Sequence, residues 1–164
     1  MILITGATGN VGSELVKTLL PTQAGQIRVL THNPDATFPD GTEKVVADLG
    51  DSDLTPVLEG VDAVFLLTGG LDIAAHDQRV VAAAQQAGVE RIVKLSVLSV
   101  GHGATDPITT MHRAGEESIR DLGVEWTFLR PTAYMSNALN WAPMITTEKV
   151  VYSPFGAGRA ALVD

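Results

Sequence analysis

The sequence contains no cysteine. That excludes structural disulfides, thiolate catalysis and zinc–thiolate sites together. It also fits a reducing cytosol, so a cytoplasmic location is expected. Positive charge is scarce: 11 Lys and Arg stand against 19 Asp and Glu, a formal net charge of −8. A general binder of nucleic acid or of an anionic membrane needs a basic face, so neither partner is expected. A local basic pocket for one phosphorylated cofactor stays compatible with this charge. The N-terminus lacks the positive n-region of a signal peptide, and no apolar run is long enough to span a bilayer. No pair of His or carboxylate residues has convincing metal-ligand spacing, and no metal is expected. No internal repeat breaks up the 164 residues, one domain's worth of chain.

What the chain does have is patterning. Strands are predicted at Met1–Ile4, Ile27–Thr31, Glu43–Ala47, Asp62–Leu67, Arg91–Ser96 and Glu125–Leu129. Helices are predicted at Asn10–Leu20 (stopped by Pro21), from Ser52 or Asp53 to Glu59, at Ile73–Ala87 (stopped by Gly88) and at Pro107–Leu122 (stopped by Gly123). Alternating strand and helix with crossover-length connections means a parallel sheet covered on both faces, an α/β doubly wound Rossmann fold. After Pro131 the pattern changes. A helix at Ser136–Ile145, interrupted by Pro143, and a strand at Lys149–Tyr152 are expected. The chain then divides into a nucleotide-binding domain, 1–132, and the start of a substrate-side region, 133–164, expected to be truncated.

Residues 4–12 read I-T-G-A-T-G-N-V-G. This loop follows a strand and opens a helix, at the end of the sheet where doubly wound folds bind ligands. Gly6 permits the tight turn, Gly9 lets a pyrophosphate approach, and Gly12 lets the helix pack on the sheet. Thr8 belongs to the same loop. The amides of Asn10 and Val11 face a phosphate at the helix start. A dinucleotide is the expected cofactor. At the end of the second strand His32 stands where an acid would bind the ribose hydroxyls of NAD. His32 and Asn33 can hydrogen-bond a 2′-phosphate, so NADP(H) is slightly preferred over NAD(H); the alternative is a surface-loop histidine, with Asp35 within reach of the ribose. Asp48 either accepts from the adenine amino group, with Leu49 against the ring, or serves as a helix-entry residue. Leu67, Thr68 and Gly69 run beside the cofactor's ribose and pyrophosphate.

G-A-T-G-N-V-G, V-V-A-D-L-G-D, V-K-L-S-V-L-S-V-G and H-R-A-G-E-E-S-I-R-D-L-G-V-E-W-T-F-L-R-P together resemble the atypical short-chain dehydrogenases. The likeness is strongest to their NmrA-like and NAD(P)H:quinone-reductase-type branch, over essentially the whole chain. The resemblance implies Ser96 beside the nicotinamide, and Pro131, Thr132 and Tyr134 in the nicotinamide-side loop. Ser96 is otherwise a strand-end hydroxyl bonded to backbone. Active short-chain dehydrogenases carry Tyr-x-x-x-Lys; here the tyrosines are Tyr134 and Tyr152, followed four residues on by Ala138 and Gly156. The matching helix holds His112 and Glu116 instead, at i and i+4. Either Glu116 holds or raises the charge of a His112 that faces the nicotinamide, or the two are a solvated pair.

Lys94 is expected to snorkel to an edge. Trp126, Trp141, Phe128 and Phe155 are expected in core or lid, with apolar surface near Phe155 driving a homodimer. The resemblance implies an NAD(P)H-dependent reductase of a quinone-like or carbonyl small molecule. The alternative is a nucleotide-sensing regulator that acts through a partner protein. A nucleotide-sugar epimerase fits worse, because the Tyr and Lys are missing.

Overall fold

The computed structural model describes residues 1–152 and 161–163. Strands β1 (Ile2–Ile4), β2 (Ile27–Thr31), β3 (Thr42–Val46), β4 (Ala63–Leu66), β5 (Arg91–Leu95) and β6 (Glu125–Leu129) form one parallel sheet in the order β3-β2-β1-β4-β5-β6. β1 lies at its centre, with Ile2 opposite Ile27 on one side and Ala63 on the other. The chain winds outward to β3 and returns to β4. The crevice where the order reverses lies beyond the carboxyl ends of β1 and β4.

Side chains alternate across a strand, and both faces of this sheet are covered. Ile4, Ile27 and Val29 pack with Val16 of helix α1 (Asn10–Gln23) on one face. Leu3, Val64, Leu66 and Ile92 pack on the other with Val80 and Ala84 of α2 (Ile73–Ala87) and with Ile119. Ile119 belongs to α4 (Pro107–Arg120), which follows the short α3 (Leu98–Gly101). The doubly wound fold read from the alternation is the fold observed.

Several local expectations change. Pro21 lacks an amide N–H, but its fixed φ is helical, and α1 runs on to Gln23. The helix expected at 52–59 is only a 3-10 turn, Pro56–Leu58. The one expected at 136–145 divides into a 3-10 segment, Met135–Trp141, and α5 (Ala142–Glu148). Pro143 falls in the first turn of α5, where its missing N–H has no partner to lose. No strand forms at 149–152; Lys149, at φ 59°, ends α5. β7 (Ala133–Tyr134) pairs in parallel with β8 (Leu162–Val163). Phe155, and with it the surface expected to drive dimerisation, lies outside the described residues. Among the described residues no helix is long and apolar enough to cross a membrane.

Candidate functional site

The three loop glycines answer to different constraints. Gly6 has φ +62°, and a Cβ there meets Leu67 Cδ2 at 2.5 Å. A Cβ on Gly12 runs into the backbone of Gly6 and Ala7. Gly9 has ordinary extended geometry, φ −81° and ψ 171°, and a Cβ there meets only the Gly6 carbonyl oxygen, at 3.3 Å. The protein itself therefore requires glycine at 6 and 12, whereas at 9 the space beside the backbone is open. Gly9 is also the N-cap of α1 and supplies no side-chain cap. The first-turn amides have no intrahelical acceptor, so the positive end of α1 opens toward that space.

Thr5, fully buried at the end of β1, ties this loop to the next one. Its hydroxyl donates to the Leu67 carbonyl and accepts from the Leu67 amide, both at 2.8 Å. The two loops flank one groove of about 320 Å³. Its walls bring together Gly9, Asn10 and Val11, then Leu67, Thr68 and Gly69, then Ser96, His112 and Tyr134. Pro131 and Thr132 are not part of that wall: the Pro131 carbonyl accepts from the Leu98 amide and the Thr132 hydroxyl donates to the Ala161 carbonyl. A second hollow of about 330 Å³, on the β2 side of the glycine loop, is lined by Thr8, Ser13, Lys17, Asn33 and Phe38 among others. His32 is exposed and outside this lining. Asp48 is exposed at the end of β3, and its carboxylate accepts from the Gly50 amide at 2.7 Å in a turn. Leu49 is half-buried against the core. A larger open hollow, about 450 Å³, surrounds Asp62, Glu90 and Glu125 at the opposite end of the sheet, away from the strand ends that bind ligands in such folds.

Beneath the groove is a layer of buried ionised groups. Glu116 is fully buried, accepts from the Ser96 hydroxyl at 2.7 Å, and pairs with Arg130 through Nε at 2.8 Å and Nη2 at 2.5 Å. Arg120 adds a third cationic contact at 3.0 Å. Burial alone would raise the carboxyl's pKa; the bonds from Arg130 and Ser96 outweigh it and hold the group below its ordinary value. Glu116 is thus bonded to Ser96 and the two arginines, and its influence on His112 is through space only. His112 is nearly buried, and its pKa is lowered, first by burial and then by the nearby Lys94 ammonium. Its Nδ1 is buried and has no hydrogen-bond partner among the described residues.

Lys94 does not snorkel. It is fully buried, with Nζ 2.6 Å from Asp77 Oδ2, a close ion pair whose angle falls outside ordinary hydrogen-bond geometry. Asp77, on α2, also accepts from the Thr68 hydroxyl at 2.8 Å. A Cβ on Gly115 would overlap the Asp77 carboxylate and lie 3.1 Å from Lys94 Cε. The glycine of H-R-A-G-E is thus a notch that lets α4 close over the pair. Asp77, Lys94, Gly115, Arg130 and Thr5 have no place in a site read from sequence, because each acts through a residue on another element. Lys94 inside an apolar strand was the available signal: a charge there needs a buried partner. Among the described residues no cluster of His, Asp or Glu can hold a metal ion.

With this geometry established, similarity to known proteins is informative. The model of a family described as NAD(P)H-binding matches residues 6–151. The chain is 45% identical to the (4-alkanoyl-5-oxo-2,5-dihydrofuran-3-yl)methyl phosphate reductase of Streptomyces griseus subsp. griseus, over 100% of this chain and 58% of that protein. It is 34% identical to quinone oxidoreductase 2 of Escherichia coli strain K12, over 98% of this chain and 58% of that one. Among solved structures, an Escherichia coli NADPH-dependent quinone oxidoreductase complexed with NADPH superposes with a TM-score of 0.81 at 32% identity, covering 91% of this chain and 55% of that chain. The Citrobacter sp. triphenylmethane reductase complexed with NADP(H) gives 0.77 at 26% identity, covering 90% and 55%. The chain therefore spans under two thirds of the length of each of these relatives.

Proposed function

This chain belongs to the NAD(P)H-binding family, and from that premise we propose that it works as an NAD(P)H-dependent oxidoreductase that transfers hydride to a quinone-like or conjugated carbonyl small molecule. The observation that carries this reading is the single groove in which the open face of Gly9 and the start of α1 meet Ser96, His112 and Tyr134. A pyrophosphate fits the space beside Gly9, where α1 offers unbonded amides. The nicotinamide end then lies toward Ser96 and His112, which line the same groove.

A bound reduced nicotinamide supplies the hydride, and a quinone-like acceptor is its own electron sink. The protein's task is accordingly orientation more than proton transfer, which is compatible with the absence of Tyr-x-x-x-Lys. His112, held neutral, offers an imidazole N–H to an acceptor oxygen. Tyr134, whose pKa is raised by burial, keeps its hydroxyl proton and walls the groove. The named substrate of the Streptomyces relative, an alkanoyl-substituted oxo-dihydrofuran phosphate, is a carbonyl compound of this class.

NADP(H) is the preferred form in this proposal, with the 2′-phosphate in the hollow lined by Thr8, Ser13, Lys17 and Asn33. Residues 1–132 are the nucleotide-binding domain. In support, every buried side chain among the described residues falls between Leu3 and Ile119. Residues 133–164 begin the substrate side, and the cysteine-free composition suits a reducing cytoplasm. The test is titration with NADPH and NADP⁺, followed by NADPH oxidation over a quinone panel. Binding of both forms and turnover of at least one acceptor is expected. Binding at near-equal affinity without turnover would overturn the reductase reading and leave a nucleotide sensor.

A further inference from the structure

Four side-chain hydroxyls line the groove, those of Thr68, Ser96, Tyr134 and Ser136, and two of them, Thr68 and Ser96, are bonded to buried carboxylates. A hydroxyl has one proton to give and two lone pairs to offer. Thr68 gives its proton to Asp77 Oδ1 at 2.8 Å, and Ser96 gives its own to Glu116 Oε1 at 2.7 Å. An ionised carboxylate returns none. Each carboxylate is in turn held by a cation: Asp77 by Lys94 at 2.6 Å, with both side chains fully buried, and Glu116 by Arg130 at 2.5 Å. None of these four charged groups forms part of the groove wall. His112, kept neutral by burial and by Lys94, adds no cation to it. At Thr68 and Ser96 the groove thus offers a ligand lone pairs and no formal charge, next to the donors of His112, Tyr134, Ser136 and Asn137.

We propose that the buried Asp77–Lys94 pair, and the buried Glu116 with its partly exposed partner Arg130, are positioning residues that fix Thr68 and Ser96 as acceptor-only groups, so that these two positions favour a carboxamide edge over a carboxylate. This rests on the reading of the groove as the nicotinamide end of a dinucleotide site. A primary amide brings two N–H donors to the waiting acceptors. A carboxylate brings only acceptors, and buried acceptors facing one another lose their hydrogen bonds outright. The arrangement ties two distant pieces of the chain, α2–β5 and α4–β6, to one chemical property of the groove. It also accounts for the complete burial of the Asp77–Lys94 ion pair, which as a stabilising device is a poor substitute for apolar packing.

The experiment is calorimetric titration of the protein with NADP⁺ and with its deamidated counterpart, nicotinic acid adenine dinucleotide phosphate. A nicotinamide-free fragment, 2′-phospho-ADP-ribose, serves as the control. NADP⁺ is expected to bind at least about tenfold more tightly than the deamidated form. Thr68→Val, which keeps the shape and removes the hydroxyl, should narrow that ratio several-fold, and Thr68→Ser should restore it. The paired change Asp77→Asn with Lys94→Met should narrow it as well, because Thr68 is then free to turn. Where that double variant does not fold, the Thr68 series decides alone. Fragment affinity, measured in each folded variant, separates any general change in nucleotide binding from a change in the ratio. Equal affinities in the wild-type protein, or a ratio unmoved by Thr68→Val, would overturn the proposal while the nucleotide site stands. Failure of all three ligands to bind would remove the nucleotide reading, and this proposal with it.

Discussion

His112 is the residue whose surroundings say most about its chemistry. It faces Lys94, Asp77 and Glu116 from β5, α2 and its own helix, and the net effect, led by burial, is a pKa below the ordinary 6.5. An unfolded chain takes up this proton near the ordinary value, while the folded protein resists it until lower pH. Folding stability is therefore unaffected by this group above 6.5 and falls as pH drops from there toward the lowered value. His112→Gln, neutral throughout, should flatten that segment. Urea midpoints measured from neutral pH down to pH ~5 check it, and identical slopes would contradict the assignment. Among the described residues, Lys17 is the one cation lining the hollow on the β2 side, and it donates to Glu14 at 2.7 Å on the surface. Lys17→Ala should weaken NADPH roughly tenfold and leave NADH unchanged, since a charged bond to phosphate is worth about 1.5–3 kcal/mol. Equal losses for both cofactors, read by titration, would take the 2′-phosphate out of this hollow.

Helix α4 shows where sequence reading succeeds and where it stops. Its start at Pro107 is where the sequence places it, and the structure adds the cap, Asp106, which accepts from the Thr109 amide at 3.1 Å. Its inner face, Thr109, His112, Gly115, Glu116 and Ile119, follows the helical spacing. Spacing also brought His112 and Glu116 together as a pair, because i and i+4 are neighbours on any helix. It could not show that Ser96 and Arg130, from two strand ends, take the carboxylate instead. Nor could it show that Gly115 makes room for an ion pair between α2 and β5. Such partners are decided by which helix crosses which strand, a property of packing that local pattern does not encode. The consequence is measurable. Alanine favours a helix over glycine by about 1 kcal/mol, yet Gly115→Ala should destabilise the protein by about 1–3 kcal/mol, because the methyl group overlaps Asp77. Urea denaturation showing a stabilised variant would mean that the notch is not needed.

Across the chain, the parallel sheet and its doubly wound topology were legible because apolar strands such as Ala63–Leu66 recur with connections of crossover length. The segment after Pro131 was less so. Its elements bury no side chain among the described residues, and apolar patterning informs only where burial is at stake. The glycine loop joins the scales: Gly6 and Gly12 are required by the fold, and Gly9 is the position at which only a ligand would object to a side chain. Gly9→Val therefore gives the most direct test of the account. NADPH should bind the wild-type protein and raise its melting temperature, as any ligand of the native state does. The variant should melt within a few degrees of wild type without ligand and show neither binding heat nor a shift with NADPH. A folded Gly9→Val protein that binds NADPH as tightly as wild type would contradict the claim that this loop holds the dinucleotide.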